Sequence, residues 1–239
     1  MLNLYYNSSK GGITMNIFKK WVGKKRNTKV ILIHGFSTQT SSEMNYLRDF
    51  LMEEGFDVVV PALFNPNDEE DIDWLKWVSK ARVEFEKAKE SGKELFVVGY
   101  SMGGVVATYL STIFSVKKLV LLAPAFEYRT LTTVKRTVTG LMNNEKKAPG
   151  MSLAFHLPFM NLVDELKNSV EVLKYPVLMI QGSEDQTIPQ TVAKKAYKKI
   201  PHGNKKLIII EDGTHRLMDD LLTRDLVNCF VLNFYNSNI

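Results

Sequence analysis

The chain has 239 residues, 45% hydrophobic and 24% charged, which is enough apolar material for a sizeable core and excludes a low-complexity or disordered chain. Its net charge is +5, yet residues 1 to 29 hold seven Lys and Arg and no Asp or Glu, so the remainder is slightly acidic; that argues against a nucleic-acid surface spread over the main domain. The longest apolar stretches, such as Lys118 to Pro124, fall far short of the ~20 residues of a membrane-spanning helix, and the first ten residues lack the pattern of a secretory signal.

A cytoplasmic protein is therefore expected. A reducing compartment fits the single cysteine, which allows no intramolecular disulfide. Cys229 lies in the apolar run Leu226 to Leu232 and reads as a buried structural thiol. The basic N-terminal segment, residues 1–27, reads as a solvated tail or as edge strands ahead of the core. Its Ile17, Phe18, Trp21 and Val22 share one helical face, which leaves weak contact with a membrane surface as the alternative. Met15 offers another start site, which would make the first fourteen residues a leader.

From residue 28 to 239 compact apolar runs alternate with amphipathic stretches, the pattern of an α/β domain with a mostly parallel central sheet and helices on both faces. Strands are predicted at Lys29 to His34, Asp57 to Pro61, Glu94 to Gly99, Lys118 to Ala123, Val177 to Gln181 and Lys206 to Ile210. Helices are predicted at Ser41 to Glu54, Asp73 to Glu90, Met102 to Phe114, Pro189 to Lys199 and Arg216 to Phe234. Ser41, Ser42, Asp71 and Asp73 are candidate caps or first-turn residues. One interval breaks the rhythm: about fifty residues separate Ala125 from Val177, so an insertion is expected at about 125–175, rich in Met, Leu and Phe.

The strand Glu94 to Val98 runs into Gly99-Tyr-Ser-Met-Gly-Gly104 and then a helix, a G-x-S-x-G pattern in strand, turn, helix context. A sharp turn there holds Ser101 in a strained conformation, and side chains two residues away on either side would collide as strand and helix close on each other. Ordinary turn glycines with Ser101 as an N-cap would explain the turn but not the partners downstream. A serine hydroxyl is a weak nucleophile that needs a base in reach, and that base needs an orienting acceptor. Of the four histidines, His215 is favoured over His34, His156 and His202, because it follows the last strand on a loop at the carboxyl end of the sheet. Asp185, on the loop after Val177 to Gln181, leads as the acid. Glu184 and Asp212 are not excluded by chemistry alone. The order Ser, acid, His suits this motif class.

With Ile33-His-Gly-Phe36, Gly99-Tyr-Ser-Met-Gly-Gly104, Gly182-Ser-Glu-Asp185 before Ile188-Pro189, and Gly213-Thr-His215, the chain resembles the α/β-hydrolase superfamily from Lys29 onward. Within it the chain looks like the small bacterial carboxylesterases and monoacylglycerol-lipase-like enzymes. The resemblance implies that Asp185 is the acid, that the backbone N–H groups of Phe36 and Met102 form an oxyanion hole, that His34 shapes its loop, and that the insertion caps the pocket. It implies hydrolysis of carboxylic esters by Ser101, His215 and Asp185, with a small-molecule ester as partner; the apolar insertion points to short to medium acyl chains, and with no zinc-ligand set or phosphate-cradling glycine loop in the sequence, no metal and no cofactor are expected. Thioester or lactone hydrolysis would use the same residues. Enzymes of this fold with an aspartate nucleophile are disfavoured by Ser101. A non-catalytic hydrolase-like binding module is the alternative of another class, disfavoured because all three residues are present. The apolar side chains of the insertion serve either to line an acyl pocket or to bury it against the body, and different residues can do each.

Overall fold

The structure is a computed structural model and describes residues 25–127 and 151–238. The six strands are β1 (Thr28–Ile33), β2 (Asp57–Val59), β3 (Glu94–Tyr100), β4 (Lys118–Leu122), β5 (Val177–Gly182) and β6 (Lys205–Ile210). They form one sheet in the order β2-β1-β3-β4-β5-β6, and every pairing is parallel. Parallel neighbours need crossover connections, and these are supplied by α1 (Asn45–Glu53), α2 (Trp74–Glu90), α3 (Met102–Ile113), α4 (His156–Leu166) and α5 (Gln190–Lys199), with α6 (Leu221–Asn236) closing the domain.

Strand periodicity decides which helices lie on which face. Ile31, Ile33, Val97, Leu119, Leu121, Val177 and Met179 point into a cluster with Trp77, Phe85, Val105, Leu110, Leu162 and Val192 of α2 to α5. The alternate residues, Val30, Leu32, Phe96, Val98, Val120, Leu122, Leu178 and Ile180, pack against Leu47, Leu51, Val227 and Val231 of α1 and α6. Most of these side chains are wholly enclosed, and each contributes roughly 1.5–3 kcal/mol of hydrophobic transfer.

Two expected boundaries move. The stretch before α1 is a 3-10 turn, Thr40–Met44. The last helix starts at Leu221 instead of Arg216, because Asp220 caps it by accepting from the N–H groups of Leu222 and Thr223. Asp73 caps α2 in the same way, through the N–H of Leu75. Cys229, expected to be buried, is only half-buried, since α6 turns it partly outward; burial raises its thiol above the usual range.

The insertion's described part is helical. Phe155, Leu162, Val163, Leu166 and Val170 bury it against the body, on the face shared with α2 and α3. Residues 128–150 of the insertion and the apolar face at Ile17 to Val22 lie outside the described residues. Of the basic segment, Arg26 is held to the body: its guanidinium donates to the Glu54 carbonyl and the Asn236 side chain and lies 4.3 Å from the centre of the Phe56 ring. None of the described helices is long and apolar enough to cross a membrane.

Candidate active site

In this strand order, β1 leads to α1 on one face of the sheet and β3 leads to α3 on the other, so a crevice opens between the carboxyl ends of β1 and β3. Ser101 sits on that crevice. Its φ of 53° and ψ of −117° place a non-glycine residue in a region that L side chains rarely adopt. Three backbone hydrogen bonds hold it there: its N–H donates to the Leu122 carbonyl at 2.9 Å, and its carbonyl accepts from Gly104 at 3.0 Å and Ala125 at 3.1 Å. The flanking glycines are required by contact. A Cβ at Gly99 would stand 2.4 Å from the Gly103 carbonyl oxygen, and one at Gly103 would stand 2.2 Å from that of Ile33, so the turn is pressed against the end of β1 as well as against β3.

His215 arrives on the loop after β6 and Asp185 on the loop after β5. The imidazole Nε2 is 3.1 Å from Ser101 Oγ, and Nδ1 is 2.7 Å from Asp185 Oδ2. Ser101 and Asp185 are buried, and His215 is partly exposed towards the crevice. The carboxylate of Asp185 is fully engaged: Oδ1 accepts from the N–H groups of Thr187 (2.9 Å) and Ile188 (2.7 Å), and Oδ2 also accepts from Gln181 Nε2 (2.7 Å). Together these bonds fix the plane of the group. The alternatives left open by the sequence separate here, since Glu184 and Asp212 are both exposed and neither meets His215.

The other histidines take different places. His34 is buried; its Nδ1 lies 2.8 Å from the Gly35 carbonyl, and its Nε2 accepts from the Leu63 N–H at 2.9 Å. That pairing fixes a neutral ring with the proton on Nδ1, and burial lowers its pKa to about 4. His156 lies edge-on to Phe36, at 5.5 Å, and His202 sits in the turn before β6. The N–H of Met102, the first residue of α3, has no intrahelical acceptor, and the Phe36 N–H meets no acceptor among the described residues. The peptide joining Gly35 to Phe36 is planar and trans, so when His34 draws the Gly35 carbonyl inward the Phe36 N–H must point the opposite way.

Three contributors escaped the sequence reading. Tyr100 stacks on His215 at 5.7 Å between ring centres and donates its hydroxyl to the His215 carbonyl at 2.7 Å; burial raises its pKa. Gln181 is a polar residue in an otherwise apolar, fully buried strand, and that oddity was its one signal. Glu43, in the turn before α1, carries no motif at all.

A cavity of about 250 Å³ opens at Ser101, walled by Phe36, Ser37, Glu43, His215, Arg216 and Asp219. A larger groove, about 1180 Å³, lies at the amino end of β3, beside Leu95, Phe114 and Pro176. It is at the far end of the strands and contains none of the Ser, His and Asp set, so chemistry and not size marks the site. No grouping of three or more His, Cys, Asp or Glu suited to hold a metal occurs among the described residues.

Comparison with known proteins gives the family and the fold. The model of an uncharacterised protein family, UPF0227, matches residues 29–225. A carboxylesterase of Bacillus subtilis is 25% identical, over 90% of this chain and 95% of its own length. Among solved structures, one from a study of the metagenome-derived lipolytic enzymes LipS and LipT superposes with a TM-score of 0.74 at 18% identity, covering 89% of this chain and 95% of that one. A soluble variant of monoglyceride lipase from Saccharomyces cerevisiae gives a TM-score of 0.71 at 15% identity, over 90% and 87%. The fold is that of the α/β-hydrolases.

Proposed function

The chain belongs to the UPF0227 family, and we propose that it is a carboxylic ester hydrolase in which Ser101 is the nucleophile, His215 the general base and Asp185 the orienting acid. The observation that carries the reading is the unbroken contact from Asp185 through His215 to Ser101, at 2.7 and 3.1 Å, on a strained turn at the mouth of a cavity. The name of the Bacillus subtilis relative supports an ester as substrate.

Asp185 accepts a hydrogen bond from the Nδ1–H of His215, which leaves Nε2 with a free lone pair facing Ser101 Oγ. As Oγ attacks the ester carbonyl, Nε2 accepts the hydroxyl proton, and the carbonyl oxygen becomes an oxyanion that accepts from the Phe36 and Met102 N–H groups. Collapse of this intermediate expels the alcohol with the proton from Nε2. Water, deprotonated by the same nitrogen, then attacks the acyl-enzyme, and the proton passes from Nε2 to Ser101 Oγ as the acid is released. Each oxyanion donor of this kind is worth roughly 3–4 kcal/mol of barrier. Phe36, which walls the cavity and stacks on Phe159 at 4.7 Å between ring centres, supplies apolar surface for a short to medium acyl chain.

Reaction with a fluorophosphonate probe tests the assignment. Wild-type protein should be labelled and Ser101→Ala should not, with the variant losing esterase activity by at least about a thousandfold. Equal labelling of the two proteins would end the reading. A nitrophenyl ester series should favour butyrate to octanoate over acetate, and a maximum at acetate would remove the acyl-chain assignment.

A further inference from the structure

Glu43 has no part in the chemistry above, yet its carboxylate closes one wall of the Ser101 cavity. It comes from the 3-10 turn Thr40–Met44, eight residues after Gly35, and reaches back over the loop that follows β1. One carboxylate oxygen, Oε1, accepts from the Gly35 N–H, and the other, Oε2, accepts from the Ser37 hydroxyl at 2.8 Å. The two oxygens therefore grip the first and third residues of Gly35-Phe36-Ser37. The N–H of the middle residue meets no acceptor among the described residues.

The loop lies directly on the nucleophile: a Cβ at Gly35 would stand 3.1 Å from Ser101 Cβ, 3.1 Å from Glu43 Oε1 and 3.3 Å from the Tyr100 carbonyl oxygen. Little room remains for the loop to rotate without touching Ser101 or Glu43. His34 holds the carbonyl of Gly35 from inside, and Glu43 holds its N–H from outside. Both peptide groups flanking Gly35 are thus anchored. Engaging the Gly35 N–H also withdraws a donor that would otherwise compete with the Phe36 N–H for the substrate oxygen. Donors that are aimed before the reaction begins stabilise an oxyanion without reorganisation, and a misaligned donor loses most of that effect.

We propose that Glu43 is a positioning residue for the oxyanion hole, clamping Gly35 and Ser37 so that the Phe36 N–H faces the carbonyl oxygen bound at Ser101. The proposal rests on the Ser101 reading. It also makes a demand of shape: one terminal oxygen must accept from the Gly35 N–H while the other terminal atom pairs with the Ser37 hydroxyl, and glutamine meets it because its NH2 can donate to that hydroxyl oxygen.

The experiment measures kcat and KM for nitrophenyl butyrate, and inhibition by butylboronic acid, for wild type, Glu43→Ala, Glu43→Gln and Ser37→Ala. Boronate bonded to Ser101 places an oxygen where the oxyanion forms, so its affinity reports the donors. Glu43→Ala should lower kcat by roughly 10- to 100-fold with KM within about twofold, and should weaken boronate binding in parallel. Glu43→Gln should recover most of the loss. Ser37→Ala, which keeps the Gly35 anchor, should lose about threefold in kcat. A Glu43→Ala enzyme with kcat within twofold of wild type would overturn the proposal. So would a change confined to KM, or a Glu43→Gln variant as impaired as Glu43→Ala. If Glu43→Ala does not fold, a wild-type kcat in Ser37→Ala is the overturning result. Failure of the Ser101 reading is seen separately, as activity retained by Ser101→Ala.

Discussion

Replacing Gly182 by alanine tests how closely the loops carrying Asp185 and His215 must fit. A Cβ at this position would lie 2.1 Å from the carbonyl oxygen of Gly213, 2.4 Å from its carbonyl carbon and 2.7 Å from the Thr214 oxygen, all backbone atoms that no rotamer change can clear. A carbon needs ~3.4 Å or more from such neighbours, so the two loops must part by roughly 1 Å. They are lashed together around that point: Ser183 N–H donates to Ile210, Glu184 N–H to Gly213, and Asp212 N–H to the Ser183 hydroxyl, each at 2.9 Å. The displacement therefore carries Gly213-Thr-His215 with it and opens the 2.7 and 3.1 Å contacts of His215. A misplacement of ~1 Å at reacting groups costs on the order of 100-fold in rate, or about 2.7 kcal/mol of barrier, and overpacking costs roughly 1–3 kcal/mol of stability. Steady-state kinetics on nitrophenyl butyrate, alongside thermal denaturation, measures both. Gly203→Ala is the control, since a Cβ there meets nothing within 4 Å. A Gly182→Ala enzyme with kcat within threefold of wild type would refute the argument.

His34 makes stability depend on pH. Its folded pKa of about 4 lies below the ordinary 6.5, so the unfolded chain takes up the proton first; the stabilisation is complete above pH 6.5 and declines as pH falls towards 4, by about 2 kcal/mol at pH 5. Burial raises the Glu43 pKa and so works in the opposite direction, which makes the comparison of wild type with His34→Asn the informative one. Urea denaturation should show their stability difference narrowing between pH 7.5 and 5, and parallel curves would contradict this. At the other end of the sheet, the buried Lys118 ammonium donates to the Phe234 carbonyl at 2.7 Å and to Ser237, closing the carboxyl end of α6. Lys118→Met should cost roughly 2–3 kcal/mol, lowering Tm by about 4–12 °C while leaving kcat at 25 °C unchanged, and an unaltered Tm would show that the cap contributes nothing.

The parts of the site written in local chemistry were legible in the sequence, and those made by distant contact were not. The turn at Ser101 announces itself because its glycines answer a steric demand from neighbouring residues. Asp185 and His215 could be placed because strand ends are recognisable and α/β sheets put their chemistry there. Asp185 leads over Glu184 through the family resemblance, and the fold separates the two, since adjacent residues on a tight loop point in different directions. Tyr100 was hidden inside the motif as a variable position, and its hydroxyl meets a carbonyl 115 residues away. Helix starts slipped where a turn precedes the helix, as at Thr40–Met44, since apolar periodicity does not separate a 3-10 turn from the helix that follows.

The register of the sheet has a consequence for how this protein can be followed as it folds. Ile33 stands opposite Gly99, Tyr100 opposite Leu122, Leu122 opposite Ile180, and Gly182 opposite Ile210. Ser101, Asp185 and His215 leave from the ends of three different strands in that series, and the Phe36 loop leaves from a fourth. A slip of one residue at any of these pairings reverses the faces of a strand and carries its loop about 3.3 Å along the sheet, beyond hydrogen-bond reach. With Ser101 as the proposed nucleophile, its reactivity would act as a coincidence detector: it would report that every pairing from β1 to β6 has formed correctly, where a spectroscopic signal would register helix and strand in any arrangement.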